Sequence, residues 1–176
     1  VNVKVGADGT LTETEETLTL YPYNFTVKVT FTLDGNSLKV THEIKNENSG
    51  VMYASLGAHP AFNCEIGDRL VFSENENLDT VRIDLVNSLR LPEMIPVLKD
   101  EKVITITEDI FNEDALIFNG VKSDTLTLES DNHSRKVIFH LNNSPWLGIW
   151  AKPGAPYVCI EPWCGVNDST EKKDDF

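Results

Sequence analysis

No apolar run in this chain approaches the ~20 residues a membrane-spanning helix needs, and no signal peptide is visible. Basic residues are scarce: 15 Lys and Arg stand against 28 Asp and Glu, a net charge of -13. Phosphate recognition needs clustered Lys and Arg, so this balance argues against a nucleic-acid partner and against anionic membrane surfaces. Cysteine is sparse as well. The three present, Cys64, Cys159 and Cys164, are odd in number and share no repeated spacing, which makes a poor disulfide framework. Cys159 and Cys164 lack the two-residue gap of a zinc knuckle and have no second pair, so no metal is expected. Reduced thiols and an acidic surface suit a soluble protein of the cytoplasm. Ser-His-Asp signatures, glycine-rich phosphate loops and HExxH are missing too. Chemistry that needs a strong nucleophile or a cofactor therefore has little support, and none is expected.

Long helical patterns are also absent, while β-branched and aromatic residues are frequent, so the chain reads as all-β. Phe25 to Leu33 alternates, with Phe25, Val27, Val29, Phe31 and Leu33 on one face and Thr and Lys on the other. That pattern predicts a half-buried strand with one wet face. Asp34-Gly35-Asn36 turns the chain, and Ser37 to Lys45 returns to complete a hairpin. Further strands are expected at Thr17–Leu20, Val51–Leu56, Arg69–Ser73, Thr80–Leu85, Lys102–Thr105, 115–118, Thr125–Glu129, Lys136–Leu141, Leu147–Ala151 and 158–161. Tyr21-Pro22-Tyr23 is read as a turn or edge, Leu89–Pro96 as irregular, and Glu108–Phe111 as a single helical turn. Many short strands separated by turn signals indicate one antiparallel sandwich domain over residues 1–176, without repeats or linkers.

The densest stretch is Pro145 to Gly165, which packs three Trp, four Pro and two Cys around one acid, Glu161. Val158-Cys159-Ile160 leads into Glu161 as a buried strand. An acid there is costly unless it is paired, hydrogen-bonded or used in a polar pocket. A strand cap or an ion pair explains it as well as a functional role does. The second stretch is Gly57-Ala58-His59-Pro60-Ala61-Phe62-Asn63. Gly57 permits unusual backbone angles and Pro60 fixes the next one, a stiff turn that aims the His59 imidazole. A rigid corner with a solvent-facing His is the alternative. His42 and His140 lie in strands and read as packed or edge residues, and His133 as exposed in a polar turn. A His and a carboxylate together can perform two proton transfers.

Gly57–Asn63, then 114–118, then Leu147-Gly-Ile-Trp-Ala-Lys-Pro153, then Cys159-Ile-Glu-Pro-Trp-Cys-Gly165 resemble the aldose 1-epimerase (galactose mutarotase) family, closest to its LacX-like branch. The resemblance runs in order from about Leu18 to the C-terminus. It implies a galactose mutarotase-like β-sandwich that binds a hexose across a concave sheet. It also implies roles: His59 as general acid, Glu161 as general base, and Asp114 as a hydrogen-bonding partner of the sugar. Trp150 or Trp163 could offer a flat face to the sugar, although core packing is the commoner fate of such a Trp.

The implied reaction interconverts the anomers of a hexose or hexose phosphate by acid/base ring opening. The implied partner is thus a small sugar. The alternative is a carbohydrate-binding sandwich without turnover. Nothing before Leu18 resembles the family's N-terminal segment, which carries an Arg and a second His for the sugar. Val1 and the run from Glu171 to Phe176 do not look like natural termini. The chain is therefore read as the C-terminal two-thirds of such a domain, trimmed at both ends, with little turnover expected from residues 1–176 alone.

Overall fold

The computed structural model describes residues 4–141 and 144–171, so Val1 and residues 172–176 of the C-terminal run lie outside the described residues. The chain divides into two compact units, 1–54 and 55–176. Every pairing between the named strands is antiparallel. Among the described residues no helix is long and apolar enough to cross a membrane.

In the first unit, β1 (Lys4–Thr12), β2 (Phe25–Asp34) and β3 (Ser37–Asn46) form a three-stranded sheet in that order. The expected hairpin is β2–β3, closed where Asp34 faces Ser37 and Gly35 takes a φ of 61°. The alternation does not translate into a buried face. Phe31, Leu33, Leu38, Val40 and Ile44 are exposed, and among the described residues this unit has one sheet and no second one to cover them. His42 is exposed on edge strand β3. Thr17–Leu20 is not a strand but part of α1 (Glu15–Leu20). Thr14 and Thr17 cap each other's backbone at its start, and Glu15 and Glu16 meet the positive end of the helix dipole. Local capping there outweighs the alternation that suggested β.

The second unit is a sandwich. One sheet has the order β4-β11-β10-β7, with β4 (Ala61–Asn63), β7 (Leu116–Asn119), β10 (Trp146–Trp150) and β11 (Tyr157–Trp163). The other has the order β6-β5-β8-β9, with β5 (Arg69–Asp84), β6 (Leu89–Thr105), β8 (Thr125–Glu129) and β9 (Lys136–His140). Val158, Ile160, Leu147, Ile149, Leu116 and Phe118 from the first sheet meet Leu70, Phe72, Leu126, Leu128 and Ile104 from the second in one core. The period-two pattern of each strand sends alternate residues into that core. Phe62 and Phe139 join the two layers edge to face, with ring centroids 4.8 Å apart.

Four other expectations change. The strands expected at Arg69–Ser73 and Thr80–Leu85 are one element, β5, whose register shifts absorb the charged interruption between them. The stretch read as irregular, Leu89–Pro96, belongs to β6 together with Lys102–Thr105. Its two prolines are tolerated because β6 is an edge strand and its outward N–H groups need no partner. Residues 51–56 form no strand and follow a loop rich in turn formers. Glu108–Glu113 is a run of turns rather than helix. His133 and His140 are both exposed.

Thr80, 1% exposed, ties the layers together: its hydroxyl accepts the Ile117 N–H at 2.8 Å and donates to the Val81 carbonyl at 3.1 Å. Replacing it with valine keeps the shape but leaves a buried N–H unsatisfied. Thr80→Val is expected to lower stability by about 1–3 kcal/mol in urea unfolding; a midpoint equal to wild type would show that the bond contributes nothing.

Candidate active site

The candidate site is built on the face of the β4-β11-β10-β7 sheet turned away from the core. Along β11 the core takes Val158 and Ile160, so Tyr157, Cys159, Glu161 and Trp163 share the opposite face. The chain from Leu56 to Asn63 runs antiparallel beside β11. The Cys164 N–H donates to Leu56 O at 2.8 Å, the Ala58 N–H to Pro162 O at 3.1 Å, and the Ile160 N–H to Pro60 O at 3.2 Å. Gly57 faces Trp163 and Ala61 faces Cys159. That one register puts His59 opposite Glu161. Pro60 and Pro162 accept these bonds but have no N–H to return, so regular pairing is broken between Gly57 and β4.

His59 and Glu161 occupy a position without cross-strand hydrogen bonds between them, where antiparallel side chains come closest. His59 Nδ1 lies 3.1 Å from Glu161 Oε1, and the two side chains are 60% and 5% exposed. Both line one cleft of about 640 Å³, together with Asp114, Trp150, Trp163 and Ile117. The four residues singled out in the sequence, His59, Glu161, Asp114 and Trp150, therefore come together. The two groups touch, which leaves no room for a sugar ring between them.

Burial pushes the Glu161 carboxyl above its ordinary range, while the facing His59 and a hydrogen bond from the Trp163 indole pull the other way. Burial, then the Glu161 charge, also raises the Cys159 thiol. Trp150 meets His59 edge to face, with centroids 6.2 Å apart, and meets Tyr157 at 6.4 Å. Asp114 sits after the turn, and its backbone N–H donates to Phe111 O at 3.2 Å. Its φ of 76° is left-handed, a conformation Asp tolerates better than most residues.

Gly57 has a different role from the one expected. Its φ is not left-handed; it is small because a Cβ there would lie 2.5 Å from Trp163 Cδ1. A Cβ on Gly148 would lie 2.8 Å from the far end of the same indole. The Trp163 ring thus lies across the sheet from Gly57 to Gly148, which faces Glu161 in register. Sequence reasoning offered Trp163 as a flat face or a packed residue, missed both glycine contacts, and weighed Cys159 only together with Cys164. The two-residue spacing of Cys159, Glu161 and Trp163 was the available signal.

The sequence pattern of the aldose 1-epimerase family matches residues 2–170. The chain belongs to that family. The match begins well ahead of Leu18, where the resemblance was expected to start, so β1 lies within it. Protein LacX of Lactococcus lactis subsp. lactis, in plasmid and chromosomal forms, is 30% identical over 167 residues, covering 89% of this chain. The chain spans 56% of the length of these curated relatives. A galactose mutarotase-like protein from Lactobacillus casei ATCC 334 superposes with a TM-score of 0.80 at 25% identity, over 95% of this chain and 60% of that one. A galactose mutarotase related enzyme from Lactobacillus acidophilus gives 0.78 at 26% identity, over 97% and 59%. The antiparallel β architecture is that of the galactose mutarotase-like fold.

Gly148→Ala forces the Trp163 indole off the sheet. It is expected to cost about 1–3 kcal/mol by overpacking and to change the near-ultraviolet circular dichroism of tryptophan. Wild-type stability and spectrum together would show that the ring has room to shift.

Proposed function

We propose that this chain carries the acid/base centre of an aldose 1-epimerase, an isomerase that interconverts the α and β anomers of a hexose. The observation that supports it most is the contact between a buried carboxylate and an exposed imidazole inside a cleft. Ring opening removes a proton from the C1 hydroxyl and delivers one to the ring oxygen. Both oxygens are bonded to C1, so two catalytic groups standing side by side suit them, with the sugar lying over the pair rather than between its members. Glu161 takes the hydroxyl proton as the C1–ring oxygen bond breaks, and His59 gives its proton to the departing ring oxygen. The C1–C2 bond rotates, and the reverse transfers close the ring on the other face. No metal or cofactor enters these steps.

The rest of the lining supports a sugar. Asp114 is read as an acceptor for a sugar hydroxyl, held in place by its left-handed backbone, and Trp150 as a flat apolar surface for the ring's C–H edge. Two carboxylates in the cleft favour a neutral hydroxyl-rich ring over a phosphorylated one, since like charges repel. We read both units as parts of one family domain, because the family match runs through each. A role in carbohydrate metabolism in the cytoplasm, with a small sugar as partner and neither nucleic acid nor membrane, completes the proposal.

Polarimetry on glucose and galactose tests it. Glu161→Gln and His59→Asn are each expected to slow mutarotation by roughly 100- to 10,000-fold, and Asp114→Asn to raise KM. A base that must be ionised loses activity as pH falls through its pKa. Because burial raises that of Glu161, the acid limb is expected above the ordinary glutamate value. Sugar binding without any acceleration over solvent would favour the non-catalytic binding module instead, and wild-type rates in both variants would remove the pair from the mechanism.

A further inference from the structure

Cys159 plays no part in proton transfer, yet it lies beside the two groups that do. It shares the site face of β11 with Glu161 two residues on, and Trp150 of β10 and Ala61 of β4 face it in register. Cys159 Sγ, a Glu161 carboxylate oxygen and a His59 ring nitrogen all lie within 4.8 Å of one another. Cys159 and Glu161 are buried, while His59 is the exposed member.

We propose that this trio is a binding site for a zinc-class divalent cation. Zinc takes sulfur at about 2.3 Å and nitrogen or oxygen at about 2.0–2.2 Å in a tetrahedron. Tetrahedral angles then set ligand atoms roughly 3.3–3.8 Å apart. The His59–Glu161 separation of 3.1 Å is already close to that spacing. The two buried ligands hang from one strand, and the exposed imidazole is free to adjust. The fourth position is left for water. A thiolate in the set selects soft or borderline ions over Mg²⁺ and Ca²⁺, which prefer oxygen. On binding, the thiol proton leaves to solvent and the sulfur bonds to the metal; no electron is transferred. The metal is no cofactor for anomer exchange. It occupies both lone-pair donors of the proposed pair, so a loaded site cannot take or give the protons of ring opening. The binding claim itself does not depend on the sugar reading.

Titrating cobalt(II) chloride into residues 1–176 tests it, because a thiolate-to-cobalt charge-transfer band in the near ultraviolet reports sulfur ligation directly. The expected result is a band saturating at one cobalt per chain and bleached by zinc. It is lost in Cys159→Ala and retained in Cys164→Ala. In His59→Ala the affinity is expected to fall at least about tenfold, as even outer partners of a metal site cost about 10–100-fold. Cys159→Ser, close in size to the native residue, gives the same reading should the alanine variant unfold. No thiolate band, a band that survives the loss of Cys159, or wild-type affinity in His59→Ala would overturn the site. Sugar turnover is not measured, so failure here leaves the mutarotase reading standing, and the reverse holds too.

Discussion

One register carries the site: residues 56–63 lie antiparallel to β11, with Gly57 facing Trp163 and Ala61 facing Cys159. Everything chemical follows from it. His59 meets Glu161 because the two fall at a narrow pair. Trp163 can lie flat because its neighbours on either side are Gly57 and Gly148. The acid sits on the same strand as Val158 and Ile160, which are 0% exposed, so its position is fixed by core packing rather than by a loop. A shift of one residue would turn Glu161 into the core and an isoleucine into the cleft. The hydrophobic pattern forbids that slip, and the geometry of the His59–Glu161 pair inherits the rigidity of the sandwich.

The pair is asymmetric, and the asymmetry has a use. Glu161 loses water to burial and keeps its proton more readily than an exposed acid would. His59 projects from an outer segment where Pro60, and Pro162 across from it on β11, have no N–H to give to the ladder, and it keeps most of its surface in solvent. One partner is therefore held and the other is free to respond to a ligand. A site made of two equally buried groups would resist the movement that any incoming ligand requires. A site made of two exposed groups would leave the carboxylate near its solution behaviour.

What could be read in advance depended on the range over which the cause acts. The β2–β3 hairpin and the strands of the core were legible because alternation and a two-residue turn are local. His59, Glu161, Asp114 and Trp150 were legible as a group through the family resemblance and the odd setting of each residue. The contact between His59 and Glu161 was not. It depends on pairing between segments a hundred residues apart, and Pro60 and Pro162 disguise one of them as a turn. Gly57 was noticed for the wrong reason: backbone freedom is the usual explanation for a glycine, whereas here the nearby indole decides. Thr17–Leu20 failed differently, since the Thr14–Thr17 cap that makes it helical spans only three residues and looks like ordinary β-prone sequence.

Cys159 shows how a packed sheet face creates chemistry without any motif. Counted along the chain, it pairs with Cys164 at a spacing useful to no metal. Counted along β11, it stands one pleat from Glu161, and the cross-strand neighbour of Glu161 is an imidazole. Proton exchange needs an acid and a base close together and partly shielded from water, and those are also the conditions under which side chains converge on a cation. A thiol placed one pleat away completes a donor set that Glu161 and His59 alone would leave too open. In the proposed site, the neighbouring position therefore decides whether a soft metal has a sulfur to bind. With an alkyl side chain there, the pair would face protons and sugars only. With cysteine, the same pair gains the soft donor that the proposed thiophilic metal site requires.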